Sequence, residues 1–252
     1  MKSTYAGIAN QHVFVTGGAT GIGRSMVEAF ANQGAAVSFI DILVQEGETL
    51  VQELKNQDCK VCFLETDVRD HDALIASIQT AARDFGPITT LVNNVANDQR
   101  HAVMETTQAW WAQCMDINLN ASFWAAQSVY PMMKKQAGGS IINVSSINAL
   151  WGPDNMPGYV TAKAGLLGMT KALAREFGKD RVRVNTISPG WVVTERQKKL
   201  WLTPEAEKEW KKLLCLPDMI EPEEVASLAL FLASDDSQKI TSQNFIIDCG
   251  RI

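Results

Sequence analysis

The sequence predicts a single α/β domain in which a parallel sheet of about seven strands is covered by helices on both faces. Short apolar runs alternate with helical patterns along the whole chain, and this alternation is typical of a parallel sheet, whose strands need crossover helices. A glycine-rich segment joins the first strand to the first helix. The length of 252 residues suits one large domain, and no linker, repeat or low-complexity segment divides 1–252.

Each predicted strand is an apolar run bounded by glycine, proline or polar residues. The seven runs cover 12–15, 36–40, 60–65, 90–92, 139–144, 182–187 and 245–248. Between them, apolar residues recur at the three- and four-residue spacing of amphipathic helices. These helical patterns cover 24–34, 46–57, 70–85, most of 107–133, a stretch beginning at Tyr159, and 222–234.

The segment 188–219 is an insert between the sixth strand and the last helix. Within it, Thr203, Pro204 and Glu205 have the residue types of an N-cap, a first-turn proline and a first-turn acid. They predict one amphipathic helix that continues through Trp210 to 213–214. We expect this segment to form a lid over the functional site.

Composition excludes several classes of partner. With 46% hydrophobic and 20% charged residues, the chain resembles an ordinary globular protein. A net charge of −5 argues against nucleic acid or an anionic membrane as the main partner. No apolar run reaches the roughly 20 residues needed to span a bilayer, and the first residues lack the apolar core of a secretion signal. We therefore expect a cytoplasmic protein.

Cys59 and Cys62 form a C-x-x-C pattern that invites a redox or zinc interpretation. They lie at the start of a predicted strand, where positions three apart point to opposite faces. No second pair of cysteines or histidines lies at zinc spacing. We expect no metal site.

The segment between the first strand and the first helix reads T-G-G-A-T-G-I-G (16–23). Glycines let the backbone turn tightly and approach a pyrophosphate, and the helix N-terminus offers free N–H groups. Strand, glycine turn and helix in this order are typical of the dinucleotide-binding Rossmann fold. A tight turn with incidental glycines is the alternative. The candidate cofactor contacts are Gly17, Thr20, Gly21, Ile22 and Gly23.

Asp41 ends the second predicted strand, 18 residues after Gly23. An acidic residue at this position can hold the ribose hydroxyls of NAD, and its charge repels the additional phosphate of NADP. No arginine or lysine lies between Gly17 and Gly23, although Arg24 follows directly and argues the other way. The sequence predicts NAD as the cofactor.

Tyr159 and Lys163 are four residues apart in a predicted helix, so both side chains reach the same small volume. A free phenol has a pKa near ~10, which makes it a poor base at neutral pH. A neighbouring ammonium lowers that pKa, and we expect Lys163 to do so for Tyr159. An ordinary surface pair is the alternative interpretation of this spacing.

These motifs together resemble the short-chain dehydrogenase/reductase family over essentially the whole chain. The resemblance rests on T-G-x-x-x-G-x-G at 16–23, Y-x-x-x-K at 159–163, and Asp67, Asn93, Asn118, Ser146, Pro189 and Gly190. Two positions depart from the family pattern: Ala96 replaces the glycine of N-N-A-G, and Cys249 replaces the first glycine of a C-terminal D-G-G.

The resemblance implies the roles of the individual residues. Tyr159 would take the proton from a substrate hydroxyl, Ser146 would hydrogen-bond the same oxygen, and Lys163 would bind the nicotinamide ribose. Asn118 would help hold a water that links Lys163 to solvent. Ser146 is preferred over Ser145 because the family places its serine 13 residues before the tyrosine. The further cofactor contacts that it implies are Asp67, Val68, Asn94, Pro189, Val192 and Thr194.

Substrate choice depends on the loops beyond the strand ends. The first loop, 97–101, is polar, while the others bring tryptophans and further polar groups. Hydroxyl partners beside aromatic rings suit a sugar. The loop 97–101 and the lid sequences 195–197 and 203–205 resemble the aldose 1-dehydrogenases of the family. The implied reaction is oxidation of an anomeric hydroxyl to the aldonolactone. The candidate sugar contacts are Asn97, Trp151, Trp191 and Arg196.

The sequence is also compatible with other functions. A 3-oxoacyl thioester reductase or a polyol dehydrogenase would share the fold, and a non-catalytic NAD-binding module is a remote alternative. The family also implies a homotetramer. Small residues on two helices, Ala121, Ala125 and Ala126 against Ala164, Gly165 and Gly168, would suit helix packing between its subunits.

Overall fold

A computed structural model describes residues 4–252 and contains the predicted parallel sheet of seven strands. The strands are β1 (His12–Thr16), β2 (Ala36–Asp41), β3 (Val61–Glu65), β4 (Thr90–Asn93), β5 (Gly139–Val144), β6 (Val182–Pro189) and β7 (Asn244–Ile247). Their order across the sheet is β3-β2-β1-β4-β5-β6-β7, and every neighbouring pair is parallel. The predicted fold class is confirmed.

Ten α-helices connect or follow these strands in the described part of the chain. They are α1 (Gly21–Asn32), α2 (Val44–Lys55), α3 (His71–Phe85), α4 (Gln108–Met115), α5 (Ala121–Lys135), α6 (Asn148–Trp151), α7 (Pro157–Phe177), α8 (Glu195–Leu200), α9 (Pro204–Lys211) and α10 (Pro222–Ala233). None of the helices within 4–252 is both long and apolar enough to cross a membrane.

The sheet is buried on both faces because its strands are apolar on both faces. Successive residues of a strand point to opposite sides, and in β1 Val13 and Val15 belong to one apolar cluster while Phe14 belongs to the other. The first cluster includes apolar residues of α1, α2 and α10, and the second includes those of α3, α5 and α7. The two helix layers therefore arise from the β1 sequence pattern and its neighbours.

The strand order reverses at β1, which lies between β2 and β4. In open α/β sheets, the connections leave opposite faces at such a point and open a crevice beyond the carboxyl ends of the strands. Here the glycine segment follows β1, and the polar loop 97–101 follows β4. The fold thus brings the predicted cofactor and substrate segments to one edge.

Two helical predictions need correction. The long helix predicted over 107–133 contains a π-helical turn at Asp116–Asn120, which separates α4 from α5. The segment 188–219, called the lid below, contains two short helices rather than one, because α8 precedes the predicted helix and α9 ends at Lys211. The signal for α8 is Thr194, whose hydroxyl accepts a hydrogen bond from the Gln197 N–H as an N-cap.

The small-residue faces predicted for subunit contacts are also partly wrong. Ala125 and Ala126 are fully buried under the sheet, and Ala121 is almost so, because this face of α5 packs into the subunit core. The same helix exposes Phe123 and Trp124 instead. The alanines of α5 are therefore core residues of one subunit.

Candidate active site

A cavity of about 1050 Å³ lies beyond the carboxyl ends of the strands and extends from the glycine segment to the lid. The predicted site residues that line it are Gly17, Thr20, Gly21, Ile22, Gly23, Asp41, Asp67, Val68, Asn94, Asn97, Ser146, Trp151, Tyr159, Lys163, Pro189, Trp191, Val192, Thr194 and Arg196. Asn118 is the predicted site residue outside this lining, and it is buried against Asn97. The fold thus gathers segments from most of the sequence into one cavity.

The glycine segment forms a tight turn against β2 and β4. The N–H groups of Gly17 and Gly18 both donate to the Ile40 carbonyl, and the Asn94 side-chain amide donates to the Gly17 carbonyl over 2.9 Å. A Cβ on Gly23 would lie 1.8 Å from the Gly17 oxygen, so no larger residue fits there. The backbone of α1 therefore packs directly on the turn.

The N-terminus of α1 has free hydrogen-bonding capacity toward the cavity. Its N-cap residue, Thr20, makes no side-chain capping bond and lines the cavity with Gly21 and Ile22. The first N–H groups of a helix have no partner within the helix and carry a partial positive charge. This arrangement fits the pyrophosphate of a dinucleotide.

The Asp41 carboxylate both supports the glycine segment and borders the cavity. One of its oxygens accepts from the Ala19 N–H over 3.0 Å, and the other accepts from Ile42 over 2.8 Å and from Leu43 over 3.2 Å. The Arg24 guanidinium forms salt bridges with Glu28 and Glu53 and none with Asp41. Asp41 is thus the charged group at the predicted ribose position.

Asn118 lies in the π-helical turn and is bound on three sides. Its amide donates to the Cys114 carbonyl over 2.9 Å and to the Asn97 carbonyl over 3.2 Å, and its oxygen accepts from the Asn97 N–H over 2.9 Å. A π-helical turn places one extra residue in the helix and is frequent at functional sites. Asn118 therefore fixes the start of the loop 97–101, a contact that its sequence position did not predict.

Ser146, Tyr159 and Lys163 meet at the centre of the cavity. The Ser146 hydroxyl is within hydrogen-bonding reach of the Tyr159 phenol. Ser145 instead donates its hydroxyl to the Lys163 carbonyl over 2.8 Å, which ties the end of β5 to α7. The choice of Ser146 over Ser145 as the residue beside the tyrosine agrees with this geometry.

The expected direction of the Tyr159 pKa is wrong for this structure. Burial of the phenol raises its pKa, the Asp98 carboxylate raises it further, and Ser146 and Arg100 lower it by a smaller amount. The Lys163 ammonium lies 5.7 Å from the centre of the tyrosine ring and donates to the Val144 carbonyl over 2.7 Å. Burial outweighs the neighbouring charges because a phenolate loses its hydration.

Lys163 is itself strongly affected by burial. Only 1% of the residue is exposed, and desolvation lowers the pKa of its ammonium to about 8. The side chain is thus close to the point at which it can release or take up a proton near neutral pH. This property suits a group that passes protons between the tyrosine and solvent.

Replacing Lys163 with methionine is expected to remove one component of the pH dependence of stability. Between pH 8 and the unfolded pKa near ~10.4, the unfolded chain binds the lysine proton and the folded chain does not, so stability rises with pH. The free energy of unfolding of the wild type, relative to Lys163→Met, should therefore increase by about 3 kcal/mol over this range. Urea unfolding at several pH values measures the difference, and parallel pH curves for the two proteins would contradict the assignment.

The substrate loop, 97–101, is bound to the lid rather than free to contact a ligand on all sides. Asp98 accepts from Arg196 over 2.9 Å and from the Gln197 amide over 2.8 Å. Gln197 in turn accepts from the indole N–H of Trp191 over 2.8 Å. Of the predicted sugar contacts, Arg196 and Trp191 therefore already have protein partners, although both border the cavity.

The same loop is also attached to the start of α7. His101 accepts from the Gly158 N–H over 2.9 Å, and its ring lies 3.8 Å from that of Trp110. The backbone N–H of His101 donates to the Asn155 carbonyl over 2.7 Å. These contacts bind the loop to Gly158, the residue that precedes Tyr159 in the sequence. His101 is therefore a structural residue of the site.

A family model described as Enoyl-(Acyl carrier protein) reductase matches residues 17–251. A protein named "Probable galactose dehydrogenase GalD" from Rhizobium meliloti is 41% identical over 99% of this chain and 98% of its own length. A D-xylose 1-dehydrogenase from Caulobacter vibrioides is 40% identical, with the same coverage.

This chain belongs to the short-chain dehydrogenase/reductase family. A solved structure of a Serratia marcescens short-chain dehydrogenase/reductase mutant superposes with a TM-score of 0.90 at 29% identity, over 96% of this chain and 97% of that one. Dehydrogenases of the short-chain family use a nicotinamide cofactor. The glycine turn, the uncapped α1 N-terminus and the long cavity in this member fit such a dinucleotide.

Some residues of the site could not be identified from the sequence. Asp98 and Arg100 were visible only as parts of a polar loop, yet both line the cavity and both affect the Tyr159 pKa. Cys249 has a φ of +56°, a conformation that favours glycine, so the family's glycine would be the less strained residue there; the Cys249 carbonyl accepts from the backbone N–H groups of Cys215 and Leu216. These two bonds attach the end of the lid to the C-terminal segment.

Proposed function

We propose that the protein is an NAD-dependent sugar dehydrogenase that oxidises the anomeric hydroxyl of a cyclic aldose to the aldonolactone. The observation that carries this proposal is the cavity itself, in which Ser146, Tyr159 and Lys163 face a substrate end lined by tryptophans and polar side chains. The similarity to proteins named as galactose and xylose dehydrogenases supports the same substrate class.

The residues of the centre would divide the chemistry as follows. Tyr159 would accept the proton of the anomeric hydroxyl, and Ser146 would hydrogen-bond the same oxygen and stabilise its developing charge. Lys163 would hold the nicotinamide ribose and, with its pKa near 8, pass the proton onward. Asn118 would support this proton path. The nicotinamide, when bound, supplies the acceptor for the hydride.

The remaining cofactor contacts follow the lining of the cavity. Gly17, Thr20, Gly21, Ile22 and Gly23 would hold the pyrophosphate, and Asp67 and Val68 would border the adenine. Asn94 and Pro189 would flank the nicotinamide end. The Val192 backbone and the Thr194 hydroxyl would orient the carboxamide. The Thr194 oxygen already accepts from Gln197, but its proton remains able to donate.

NAD rather than NADP is favoured by the charges near the ribose position. The Asp41 carboxylate borders the cavity, the Arg24 guanidinium is bound by two carboxylates, and Arg69, which also lines the cavity, is bound by Asp67. A 2′-phosphate would therefore meet a negative charge without a free basic partner.

Asp41→Asn is expected to reduce the preference for NAD over NADP by about tenfold or more, because it removes the repelling charge and keeps the side-chain shape. The ratio of kcat/KM values for the two cofactors measures this effect. Asp72→Asn, at a fully solvated carboxylate on α3, is the matched control. An unchanged ratio in Asp41→Asn would assign cofactor choice to other residues.

An aldose suits the substrate end better than an acyl chain does. Trp151 and Trp191 offer apolar surface on which sugar C–H groups pack. Asn97 borders the cavity, and Asp98 and Arg196, although bound to each other, retain further acceptor and donor capacity toward a ligand. A 3-oxoacyl thioester would need apolar walls and commonly NADPH, and a polyol would need a site open to a linear chain.

The assay that tests this proposal follows NADH formation with purified protein, NAD or NADP, and a panel of aldoses, polyols and secondary alcohols. We expect turnover with aldoses and NAD. Activity confined to polyols, or to the reverse reaction with a 3-oxoacyl thioester, would be compatible with the family and would exclude the proposed substrate.

The predicted homotetramer is tested on the same preparation by light scattering. The cytoplasmic location inferred from the sequence remains a prediction.

A further inference from the structure

Arg251, next to the last residue, contacts two tryptophans of the substrate end. The centre of its guanidinium lies 5.1 Å from the ring centroid of Trp151 and 5.2 Å from that of Trp210. Trp151 ends α6, in the segment after β5, while Trp210 lies in α9 of the lid. One cation therefore contacts two cavity-lining tryptophans from different segments of the chain.

The aromatic contacts continue across the lid. The ring of Trp210 lies 5.4 Å from that of Trp191 in a near-perpendicular arrangement. Trp151, Trp191 and Trp210 all line the cavity. The position of Trp210 against Arg251 thus determines where the lid presents its aromatic surface.

The C-terminal segment is anchored well enough to hold Arg251 in place. The two oxygens of the buried Asp248 carboxylate accept from the N–H groups of Gly250 and Ile252 over 2.9 and 3.0 Å. The Cys249 carbonyl accepts from Cys215 and Leu216 at the end of the lid. These bonds fix the backbone on both sides of Arg251.

The Arg251 side chain contacts aromatic rings. Its Nε–H is buried and has no hydrogen-bond partner among the described residues. A guanidinium is attracted to the face of an indole, and this attraction strengthens when the pair is desolvated. Trp151 and Trp210 are therefore the side-chain partners that the structure gives this half-buried cation.

We propose that Arg251 is a positioning residue for the proposed sugar oxidation, because its guanidinium joins Trp151 to Trp210 and so holds the lid against the substrate end of the cavity. The part of this proposal that concerns sugar binding rests on the proposed function. The part that concerns the lid does not, because it depends only on contacts within the free protein.

The test compares Arg251→Met with a matched control, Arg83→Met. Methionine keeps an unbranched side chain but removes the charge and the planar fork, and Arg83 contacts Thr80 on the surface of α3. Arg251→Met should raise the KM for an aldose by about tenfold and leave kcat and the Kd for NAD within about twofold, as expected for loss of two cation–π contacts. Arg83→Met should change none of these values.

A second measurement is independent of activity. The lid contains Lys198, Lys199, Lys208, Lys211 and Lys212, so a lysine-specific protease reports its opening in the free protein. We expect lid cleavage, identified by fragment mass, to be several-fold faster in Arg251→Met than in the wild type or Arg83→Met. In a Trp210→Leu background, Arg251→Met should add little, because the arginine acts through Trp210.

Unchanged lid cleavage in Arg251→Met would overturn the proposal, and so would an additive effect in the Trp210→Leu background. If lid cleavage is faster in Arg251→Met but the wild-type protein oxidises no aldose, the proposed lid contact is supported and the proposed function is rejected. If Arg251→Met does not fold, Arg251→Gln, which keeps a planar but neutral group, decides the same comparison.

Discussion

Tyr159→Phe is expected to lower kcat by about 10³-fold while leaving the fold and the Kd for NAD nearly unchanged. The phenol is the group that would exchange the proton of the substrate hydroxyl, and Ser146 beside it offers no equivalent base. Phenylalanine fills the same volume at this buried position, of which only 8% is exposed. The loss should appear in kcat at saturating aldose and should not be rescued by more substrate.

Tyr130→Phe provides the matched control, since it removes the same atom from another tyrosine. The Tyr130 hydroxyl hydrogen-bonds Asp180, and its ring stacks on Phe177 at the far end of α7. We expect this variant to retain kcat within about twofold. Comparable losses in both variants, or an active Tyr159→Phe protein, would assign the proton transfer to a different group.

Gly23→Ala is expected to weaken NAD binding by about 100-fold and to lower the thermal stability of the protein. The added methyl group would lie 1.8 Å from the Gly17 carbonyl oxygen and 2.6 Å from the Asn94 amide nitrogen. Gly17 cannot move away freely, because its N–H is bound to Ile40 and its carbonyl to Asn94. The methyl group must therefore displace the turn that holds the pyrophosphate.

Gly178→Ala isolates this effect from the general effect of adding a methyl group. At the end of α7, Gly178 has a φ of −58°, and nothing lies within 4 Å of its added Cβ. We expect its melting temperature and its NAD affinity, measured by calorimetry, to remain near those of the wild type. Equal affinity in Gly23→Ala would show that the cofactor does not depend on this turn.

The sequence predicted those features that depend on local pattern. Strand and helix alternation indicated the parallel sheet, because each apolar run carries its pattern locally and strands joined by crossover helices pair in parallel. The four-residue spacing placed Tyr159 and Lys163 on one face of α7, and both line the cavity. The glycine turn was predictable for the same reason, because its geometry is set within eight residues.

The features that the sequence did not predict depend on contacts between distant segments. The pKa of Tyr159 is dominated by burial and by Asp98, neither of which is visible in the spacing of Tyr159 and Lys163. Asp98 forms a salt bridge with Arg196. Polar residues of the loop 97–101 and of the lid, which were expected to contact a sugar, therefore also bind one another. Arg251 carried no local signal, because its partners become neighbours only after folding.

The raised pKa of Tyr159 bears on when this residue can act as a base. In the free protein, the phenol stays protonated, so it cannot act as a base until positive charge approaches it or Lys163 is held closer. Asp98 opposes that change, and Arg100 favours it. The catalytic geometry is therefore present before the electrostatics are complete, which is consistent with a site that activates on cofactor and substrate binding.

The central claim is that hydride leaves the anomeric carbon of an aldose. The most direct test incubates the protein with NAD and an aldose carrying deuterium at that carbon, and measures the mass of the reduced cofactor. We expect NADH heavier by one mass unit, together with an aldonolactone that has lost the label. Unlabelled NADH from a consumed sugar would show that another carbon is oxidised and would contradict the account.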